Sequence, residues 1–324
     1  MRVLVLSEHD VRELLPMAAC IELMEDVLAA LSRNEIHNPL RFPVRAEGAS
    51  GLLGLMPAYR RGDKPLWALK EVCVYPGNPA RGLDTHLGAV LLHSGETGEL
   101  LAIINAAAVT EIRTAAVSAV ATRHLALADA STLAILGSGA QARSHLAAIP
   151  LVRKIRQVRI FSRTHAKATS LSRATGIPAE VTSTVEEAVR DADVVVTATS
   201  SKQPLLEAGW VRPGAHINAV GSSVPSAREL DSELVAAASL FVDRRESTLN
   251  ESGDYLEAVR ERGIGPDHIR GELGEVITGA VSGRRTEQEI TLFKSLGLAA
   301  EDLASAAFLF DEATRQGRGV WIDL

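Results

Sequence analysis

The sequence has few cysteines, few aromatic residues and no long hydrophobic run. Its 324 residues include only two cysteines, Cys20 and Cys73, which is too few for a disulfide framework or a cysteine metal site. No apolar stretch approaches the roughly 18 residues that cross a bilayer, and Glu8 ends an N-terminal apolar run too short for a signal peptide. Both signs of charge are mixed along the chain, with a net charge of −6. We therefore expect a cytoplasmic protein that binds a small molecule and neither nucleic acid nor membrane.

The most informative stretch has the pattern of one βαβ unit with a glycine-rich first turn. Apolar runs at Thr132–Leu136 and Val158–Phe161 flank a helical segment. Gly137 would allow the tight turn, Gly139 would let the backbone approach a pyrophosphate, and Ala142 would let the helix pack on the strand. Glycines occur in many strand-to-helix turns, but the complete flanking pattern favours dinucleotide binding over a plain structural turn. The pyrophosphate would face the helix N-terminus.

The end of the second strand indicates which dinucleotide is bound. An acidic side chain is expected about 20 residues beyond the glycines when the ribose 2′-hydroxyl is free. The chain instead has Ser162, Arg163 and Thr164 there. An arginine can bind a 2′-phosphate through two hydrogen bonds, although a solvated surface arginine is the alternative. The sequence favours NADP(H), with NAD(H) possible.

The rest of the chain divides into an α+β part and an alternating α/β part. Val11–Ser32 predicts two helical pieces divided near Pro16, and Leu298–Gln316 predicts a helix that packs back on the front third. Strand-like runs in the front third are 52–56, 66–74, 89–93 and 100–104, followed by an alanine-rich helix at 109–126. Further strands at 192–199, 215–221 and 239–243 predict a doubly wound parallel sheet. Asp231 is interpreted as a helix cap.

Six motifs, in order along nearly the whole chain, resemble the ornithine cyclodeaminase/mu-crystallin family. They are Leu53–Tyr59, Arg113–Ala119, Gly137–Ala142, Pro213–Gly221, Glu251–Asp254 and Phe293–Gly297. The resemblance implies α/β architecture, with a Rossmann-type domain at 119–304. It also implies a discontinuous α+β substrate-binding and dimerisation domain, formed by 1–118 with 305–324, and a homodimer.

The resemblance also implies that three cations, Arg41, Lys70 and Arg113, hold the carboxylate of an amino or imino acid. A planar guanidinium matches a carboxylate through two parallel hydrogen bonds, and an ammonium adds a point charge. Arg113 lies within an apolar, alanine-rich stretch, where a solvated arginine is not expected. For Arg41 and Lys70 a surface position is the alternative. Lys70 is also a candidate proton donor.

Two missing carboxylates separate the branches of the family. Cyclodeaminases carry a glutamate where this chain has Gly54 and an aspartate where it has Ser223. The ketimine reductase branch resembles this chain at both positions, at Ser162–Thr164 and at Glu251. This implies a catalytic site that includes Lys70, Ser223 and Glu251, in which Ser223 would donate a hydrogen bond near the reacting nitrogen and Glu251 would orient an iminium.

The remaining site residues are also assigned by the resemblance. Leu296 would line the substrate site. The cofactor would contact Thr85, Gly137, Gly139, Ala140, Gln141, Ser162, Arg163, Thr164, Thr199, Val220, Ser222 and Ser295. The expected activity is NAD(P)H-dependent reduction of small cyclic ketimine carboxylates, of the pyrroline-2-carboxylate or piperideine-2-carboxylate type, to cyclic L-amino acids. Ornithine cyclodeamination with bound NAD, an alanine dehydrogenase-like imino-acid reductase and a non-enzymatic NADPH-dependent binder are the alternatives. No metal is expected.

Overall fold

The computed structural model describes residues 2–324, apart from the side chain of Pro79. The strands are β1 (Arg2–Leu6), β2 (Ile36–His37), β3 (Phe42–Val44), β4 (Leu52–Arg60), β5 (Leu66–Val74), β6 (His86–Ser94), β7 (Leu100–Asn105), β8 (Thr132–Leu136), β9 (Gln157–Phe161), β10 (Ala179–Val181), β11 (Val194–Thr197), β12 (His216–Ala219), β13 (Ser239–Val242), β14 (Ile269–Glu272), β15 (Thr291–Lys294) and β16 (Val320–Asp323).

The helices alternate with the strands mainly in the middle of the chain. They are α1 (Glu8–Leu14), α2 (Met17–Ser32), α3 (Ala106–Leu125), α4 (Ala140–Ala148), α5 (His165–Ala174), α6 (Val185–Val189), α7 (Ser232–Ala237), α8 (Arg245–Glu251), α9 (Gly253–Arg262), α10 (Leu273–Ile277) and α11 (Ala299–Gln316). Among residues 2–324, none of these helices combines the length and apolar character needed to cross a membrane.

The chain forms two compact units. Unit 1 consists of the described residues up to Arg113 together with Leu298–Leu324, and unit 2 is Thr114–Gly297. The sequence-based boundaries, at 118/119 and 304/305, lie a few residues away. The first change of unit falls inside α3, a continuous helix in which the sequence gives no break, and the second falls just before α11.

Unit 1 contains an eight-stranded sheet with the order β16-β1-β7-β6-β5-β4-β2, in which β3 also pairs with β4. Its pairs are antiparallel except for β1 with β7. The cross-strand residues Met56, Lys70, Val90 and Ile104 are buried on one face. Helices α2 and α11 lie in this unit, and α11 packs against α2, β4, β5 and β6. The expected packing of the C-terminal helix on the front third is therefore confirmed.

Unit 2 contains a wholly parallel sheet with the order β10-β9-β8-β11-β12-β15-β13-β14. The first five positions have the strand order 3-2-1-4-5 of a dinucleotide-binding fold, whose ligands bind where the order reverses, between the first and fourth strands. Here those strands are β8 and β11. The expected doubly wound sheet is confirmed, and Asp231 caps α7 by accepting a hydrogen bond from the Leu234 backbone N–H at 2.8 Å.

Candidate functional site

The turn after β8 requires glycine at its first position. Gly137 has a φ of 129°, and a Cβ added to it would lie 2.4 Å from the carbonyl oxygen of Ala198, just after β11. Its N–H donates to the Phe161 carbonyl at the end of β9, at 2.9 Å. The turn therefore brings together the ends of β8, β9 and β11, at the point where the strand order reverses.

The N-terminus of α4 has the geometry that a pyrophosphate needs. Gly139 is the residue before the helix, and no side chain in the described chain caps the first turn, which begins with Ala140 and Gln141. Apart from Gly139 and its two chain neighbours, no described heavy atom lies within 4 Å of the position that a Cβ on Gly139 would take. Ala142 is fully buried against the sheet. Backbone N–H groups and the helix dipole at this end suit an anion, so these residues fit a dinucleotide.

Ser162, Arg163 and Thr164 follow β9 beside the glycine turn. The hydroxyls of Ser138 and Ser162 are hydrogen-bonded at 2.7 Å, and the Thr164 N–H donates to Ser162 Oγ at 3.3 Å. Arg163 and Thr164 are exposed. The three residues after β9 therefore carry two neutral hydroxyls and one exposed guanidinium, and none of them carries a carboxylate. This arrangement suits a phosphate group.

The ends of β11 and β12 are joined by one buried carboxylate, Glu229. Its Oε1 accepts from the N–H and the hydroxyl of Thr199, both at 2.7 Å. Its Oε2 accepts from the Thr197 hydroxyl at 2.7 Å and the Gly221 N–H at 2.8 Å. Burial raises the pKa of Glu229, while Lys294 and the threonine hydroxyls oppose that shift. This carboxylate fixes the two chain segments that carry Thr199 and Val220.

Lys294 and Asp254 support the next segment of the same edge. Lys294 Nζ donates to the Ser222 carbonyl at 2.5 Å and lies 2.8 Å from Asp254 Oδ2. Asp254 Oδ1 accepts from the N–H groups of Glu229 and Leu230 at 2.8 and 3.0 Å. Two residues from the family motifs therefore hold the backbone that carries Ser222 and Ser223.

The other proposed residues of unit 2 are Ser295 and Leu296, which directly follow β15, together with Ser223 after β12 and Glu251 at the end of α8. Asp243 Oδ2 accepts from the N–H groups of Leu296 and Gly297 at 2.5 and 2.7 Å, which fixes the turn that follows Ser295. Ser295 and Leu296 are buried. Ser223 is half-buried, and Glu251 is the half-buried last residue of α8.

Unit 1 contains a buried cluster of four charged side chains. Lys70 Nζ lies 2.7 Å from Asp302 Oδ2, Arg113 Nε donates to Asp302 Oδ1 at 3.2 Å, and Arg113 also lies 2.8 Å from Glu301 Oε2. None of the four side chains is more than 4% exposed. Lys70 and Arg113 are therefore not surface charges. The carboxylates occupy the first turn of α11, where the helix dipole favours negative charge, and Asn38 caps that turn by accepting from the Ala300 N–H at 2.8 Å.

The cluster changes how readily Lys70 loses its proton. Burial lowers the pKa of Lys70 from 10.5 to about 8, although the Asp302 carboxylate opposes this shift. Arg113 lowers it further. The pKa of His86, at the start of β6, is lowered by burial and by the charge of Lys70. Lys70 thus has the acidity of a group that can give up a proton near neutral pH.

Arg41 and Thr85, the remaining proposed residues, also lie in unit 1. Arg41 directly precedes β3 and is half-buried. Phe42 pairs with Leu55, so one further step of that antiparallel register would set Arg41 opposite Met56, which pairs with Lys70. Thr85 precedes β6, and its carbonyl accepts from the Tyr75 N–H at 2.9 Å.

Sequence reasoning did not find Glu301, Asp302 and Glu229 as parts of the site. Glu301 and Asp302 stand in an alanine-rich, amphipathic helix, which is the same signal that made Arg113 conspicuous. Applying that criterion to acids as well as bases would have selected both. Asp254 and Lys294 were inside recognised motifs, but nothing in the sequence indicated that they face each other.

Three features define a dinucleotide-binding α/β protein with a second, α+β unit. They are the glycine turn after β8, the parallel sheet with its reversal of strand order, and the uncapped N-terminus of α4. The model of the ornithine cyclodeaminase/mu-crystallin family matches residues 1–317. The chain belongs to this family.

Similar proteins of known name share nearly the full length of the chain. Ketimine reductase mu-crystallin of Mus musculus is 40% identical over 310 residues, which cover 94% of this chain and 96% of that protein. The structure of Thermococcus litoralis Delta(1)-pyrroline-2-carboxylate reductase with NADH and L-proline is 37% identical, with a TM-score of 0.94, and covers 98% of this chain and 99% of that one. An archaeal alanine dehydrogenase dimer with bound NAD is 33% identical, with a TM-score of 0.94 and full coverage of both chains.

Proposed function

We propose that this protein is an NAD(P)H-dependent reductase of small cyclic ketimine carboxylates, with cyclic L-amino acids as products. The observation that carries the proposal is the buried pair of cations, Lys70 and Arg113, in a family whose similar members are named as ketimine and pyrroline-2-carboxylate reductases. A fixed guanidinium and an ammonium are suited to hold the carboxylate beside a C=N bond. Arg41 would add a third positive group.

The absence of two carboxylates favours reduction over cyclodeamination. Gly54 lies in β4, two residues from Met56 on the buried face of the sheet that also carries Lys70. A glutamate at that position would therefore project to the same face as Lys70, where it could receive a substrate's terminal amine. The chain has glycine at position 54 and serine at position 223. It therefore lacks the glutamate that would bind the amine and the aspartate that would move protons in a cyclodeaminase.

The chemistry assigned to the protein's own residues is mainly positioning. The bound nicotinamide would supply the hydride that adds to the carbon of the C=N bond. Lys70 and Arg113 would hold the adjacent carboxylate so that this carbon is correctly placed. Lys70 would donate a proton to the nitrogen when the imine binds unprotonated. Glu251 would orient an iminium, and Ser223 would donate a hydrogen bond near the reacting nitrogen.

The cofactor proposed is NADP(H) rather than NAD(H). Arg163 is exposed at the end of β9, and the hydroxyls of Ser138 and Ser162 are already hydrogen-bonded to each other beside it. A 2′-phosphate would meet a guanidinium and neutral donors at this point, and no acid of this turn would repel it. The similar structures hold NADH or NAD, so this preference depends on the residues of this chain.

The proposed assembly is a homodimer through the outer face of the unit 1 sheet. That face exposes large apolar side chains, among them Trp67 at 45% and Leu87 at 42%, while the opposite face is buried. Exposed apolar patches of this kind mark interaction surfaces. A second copy of the chain is the proposed occupant, and the similar archaeal alanine dehydrogenase structure is described as a dimer. Sedimentation of the parent protein and of a Trp67→Glu, Leu87→Glu variant would test this, since the parent should be dimeric and the variant monomeric.

The decisive experiment for the activity is a substrate panel measured with NADPH and with NADH. The panel contains pyrroline-2-carboxylate, piperideine-2-carboxylate, a cyclic imine without a carboxylate, iminosuccinate, and pyruvate with ammonia. Steady oxidation of the cofactor by the two cyclic ketimine carboxylates, and much weaker oxidation by the imine without a carboxylate, is the expected result. Equal turnover of that imine would contradict the proposed role of the cations.

Ornithine distinguishes the cyclodeaminase alternative. A cyclodeaminase releases ammonia from ornithine without a net change in nicotinamide absorbance. The proposed reductase should release none. Ammonia release from ornithine, together with no oxidation of NADPH by any imine of the panel, would replace the proposal.

A further inference from the structure

Asp302 contacts both of the buried cations, and it does so through different oxygens. Oδ2 lies 2.7 Å from Lys70 Nζ, and Oδ1 accepts from Arg113 Nε at 3.2 Å. Glu301, the preceding residue, contacts Arg113 at 2.8 Å. The separation between the Lys70 ammonium and the Arg113 guanidinium is therefore set by one carboxylate in the first turn of α11.

The charges of the cluster balance without any ligand. Two cations, Lys70 and Arg113, face two carboxylates, Glu301 and Asp302, and all four side chains are buried. Two buried cations alone would repel each other and would bear an uncompensated desolvation cost. The carboxylates therefore keep the positive groups in place before a substrate arrives, so that they do not depend on the substrate for their position.

The contacts of Lys70 also give its ammonium a direction. An ammonium has three hydrogens. Within residues 2–324, Asp302 lies 2.7 Å from Nζ, and the Thr110 hydroxyl is a longer partner at 3.4 Å. With Asp302 on one side and Thr110 on another, the third hydrogen has a restricted direction in which to meet a ligand.

We propose that Asp302 is a positioning residue that holds the Lys70 ammonium protonated and aimed at the imine nitrogen of the substrate, whereas Glu301 positions the Arg113 guanidinium. This inference rests on the proposed reductase function and assigns separate tasks to two adjacent acids. Asp302 does not touch the substrate. It acts through Lys70, and its loss should change both the direction and the acidity of that ammonium.

The charged and titratable groups that face Lys70 come from several elements. Helix α11 contributes Asp302 and Glu301, α3 contributes Arg113, and β6 contributes His86. Both acids raise the pKa of Lys70, but the effect of Asp302 is the larger one and includes a hydrogen bond. Replacing Asp302 by a neutral residue should therefore lower the pKa of Lys70 more than the same change at Glu301.

The test compares Asp302→Asn with Glu301→Gln, two neutral replacements in the same helical turn. The pH dependence of kcat/KM is measured for the reduction of pyrroline-2-carboxylate by NADPH. In Asp302→Asn the alkaline limb should move to lower pH by about one unit or more, and kcat should fall about 100-fold as the proton donor is lost. Glu301→Gln should mainly raise KM, because Glu301 positions the guanidinium that holds the substrate carboxylate. It should move the alkaline limb of the pH profile less than Asp302→Asn does. Glu312→Gln, which changes an acid on the same helix that contacts Arg315, should match the parent protein.

The outcomes separate this inference from the function on which it rests. If the parent protein oxidises NADPH with no cyclic ketimine, the proposed function fails and the inference fails with it. If the parent turns over but the limb moves equally in the two variants, only the inference is overturned. Should Asp302→Asn not fold, Asp302→Glu carries the test. It keeps the charge, so the limb should stay near its parental position while kcat falls, and an unchanged kcat would overturn the inference.

Discussion

Both units bury charged side chains, but the buried acids contact different partners in the two units. In unit 2, Glu229, Asp254 and Asp243 accept hydrogen bonds mostly from backbone N–H groups of the chain itself. In unit 1, Glu301 and Asp302 contact the cationic ends of Arg113 and Lys70. The acids of unit 2 therefore fix the positions of loops, whereas those of unit 1 fix the positions of positively charged groups.

This difference has a physical consequence for ligand binding. In unit 2 the carboxylates bond backbone N–H groups and so fix the strand ends at the cofactor edge. These bonds form without a ligand. A buried cation that is balanced by a carboxylate keeps its charge and can bind a further anion with the rest of its donors. Changes to the first arrangement should lower cofactor affinity, whereas changes to the second should lower turnover.

Replacing Arg113 by glutamine should produce the largest effect. Two charge-assisted hydrogen bonds to the substrate, at roughly 2 kcal/mol each, correspond to about a thousandfold loss of kcat/KM. Removing one member of a buried ion cluster should also lower the free energy of unfolding by about 3–5 kcal/mol. Steady-state kinetics and denaturant unfolding measure the two effects.

The same variant should leave NADPH affinity close to the parental value, because all the proposed cofactor contacts except Thr85 lie in unit 2. Arg315→Gln, which breaks an exposed ion pair on α11, is the control and should behave as the parent protein. If Arg113→Gln has the same kcat/KM as the parent protein, the proposed role of the cluster is contradicted.

Acid should weaken the protein through a buried histidine of unit 2. His145 Nε2 lies 2.9 Å from the Ser118 hydroxyl, and burial lowers the pKa of His145 from 6.5 to about 4. Because the unfolded chain binds this proton and the native protein does not, the stability contribution is complete above pH 6.5 and is lost as the pH falls toward 4. The loss should amount to about 3 kcal/mol at roughly 1.4 kcal/mol per pH unit.

Unfolding of the parent protein and of His145→Gln across this pH range measures the contribution. The variant should show a shallower decline. Burial lowers the pKa of His216 as well, to about 3, and this residue is unchanged in both proteins, so part of the decline should persist in the variant. Equal slopes in the two proteins would show that His145 does not titrate as its burial requires.

Replacing Glu229 by glutamine tests the backbone-bonded network directly. The amide nitrogen would face either the Thr199 N–H or the Gly221 N–H, each of which now donates to the carboxylate. One buried donor would lose its acceptor, at a cost of about 1–3 kcal/mol in the free energy of unfolding. NADPH affinity should fall with it, because both segments carry proposed cofactor contacts. Glu233→Gln, a nearby exposed acid, is the control, and an unchanged affinity in Glu229→Gln would mean that this network does not shape the cofactor edge.

The parts of the fold that the sequence predicted are those with a local signal. The βαβ unit follows from the glycines at 137 and 139 and the apolar runs on either side, and β8 begins and ends where the sequence placed it. The short strands β2, β3 and β10 were not predicted, because two or three residues carry no periodicity and pair only where a longer neighbour lies. The insertion of β15 between β12 and β13 is a tertiary feature with no local signal.

The candidate site shows the same limit. The sequence marked Arg113 as unusual because a charged residue within apolar helix positions needs a partner. The partner, Asp302, lies 189 residues further along the chain, and no local pattern connects the two. The pairing of these carboxylates with Arg113 and Lys70 follows only from the packing of α11 against the unit 1 sheet.

Arg163 should give the smallest of these effects, and it completes the comparison between the units. Arg113 is 3% exposed and paired within unit 1, whereas Arg163 is exposed on unit 2. A solvated guanidinium competes with water for a phosphate, so Arg163→Ala should weaken NADPH binding by only about tenfold. NADH binding should be unchanged, because NADH has no 2′-phosphate for the guanidinium to contact. Titration of the variant and the parent with both cofactors measures the difference, and an equal loss of affinity for NADPH and NADH would show that Arg163 does not contact the 2′-phosphate.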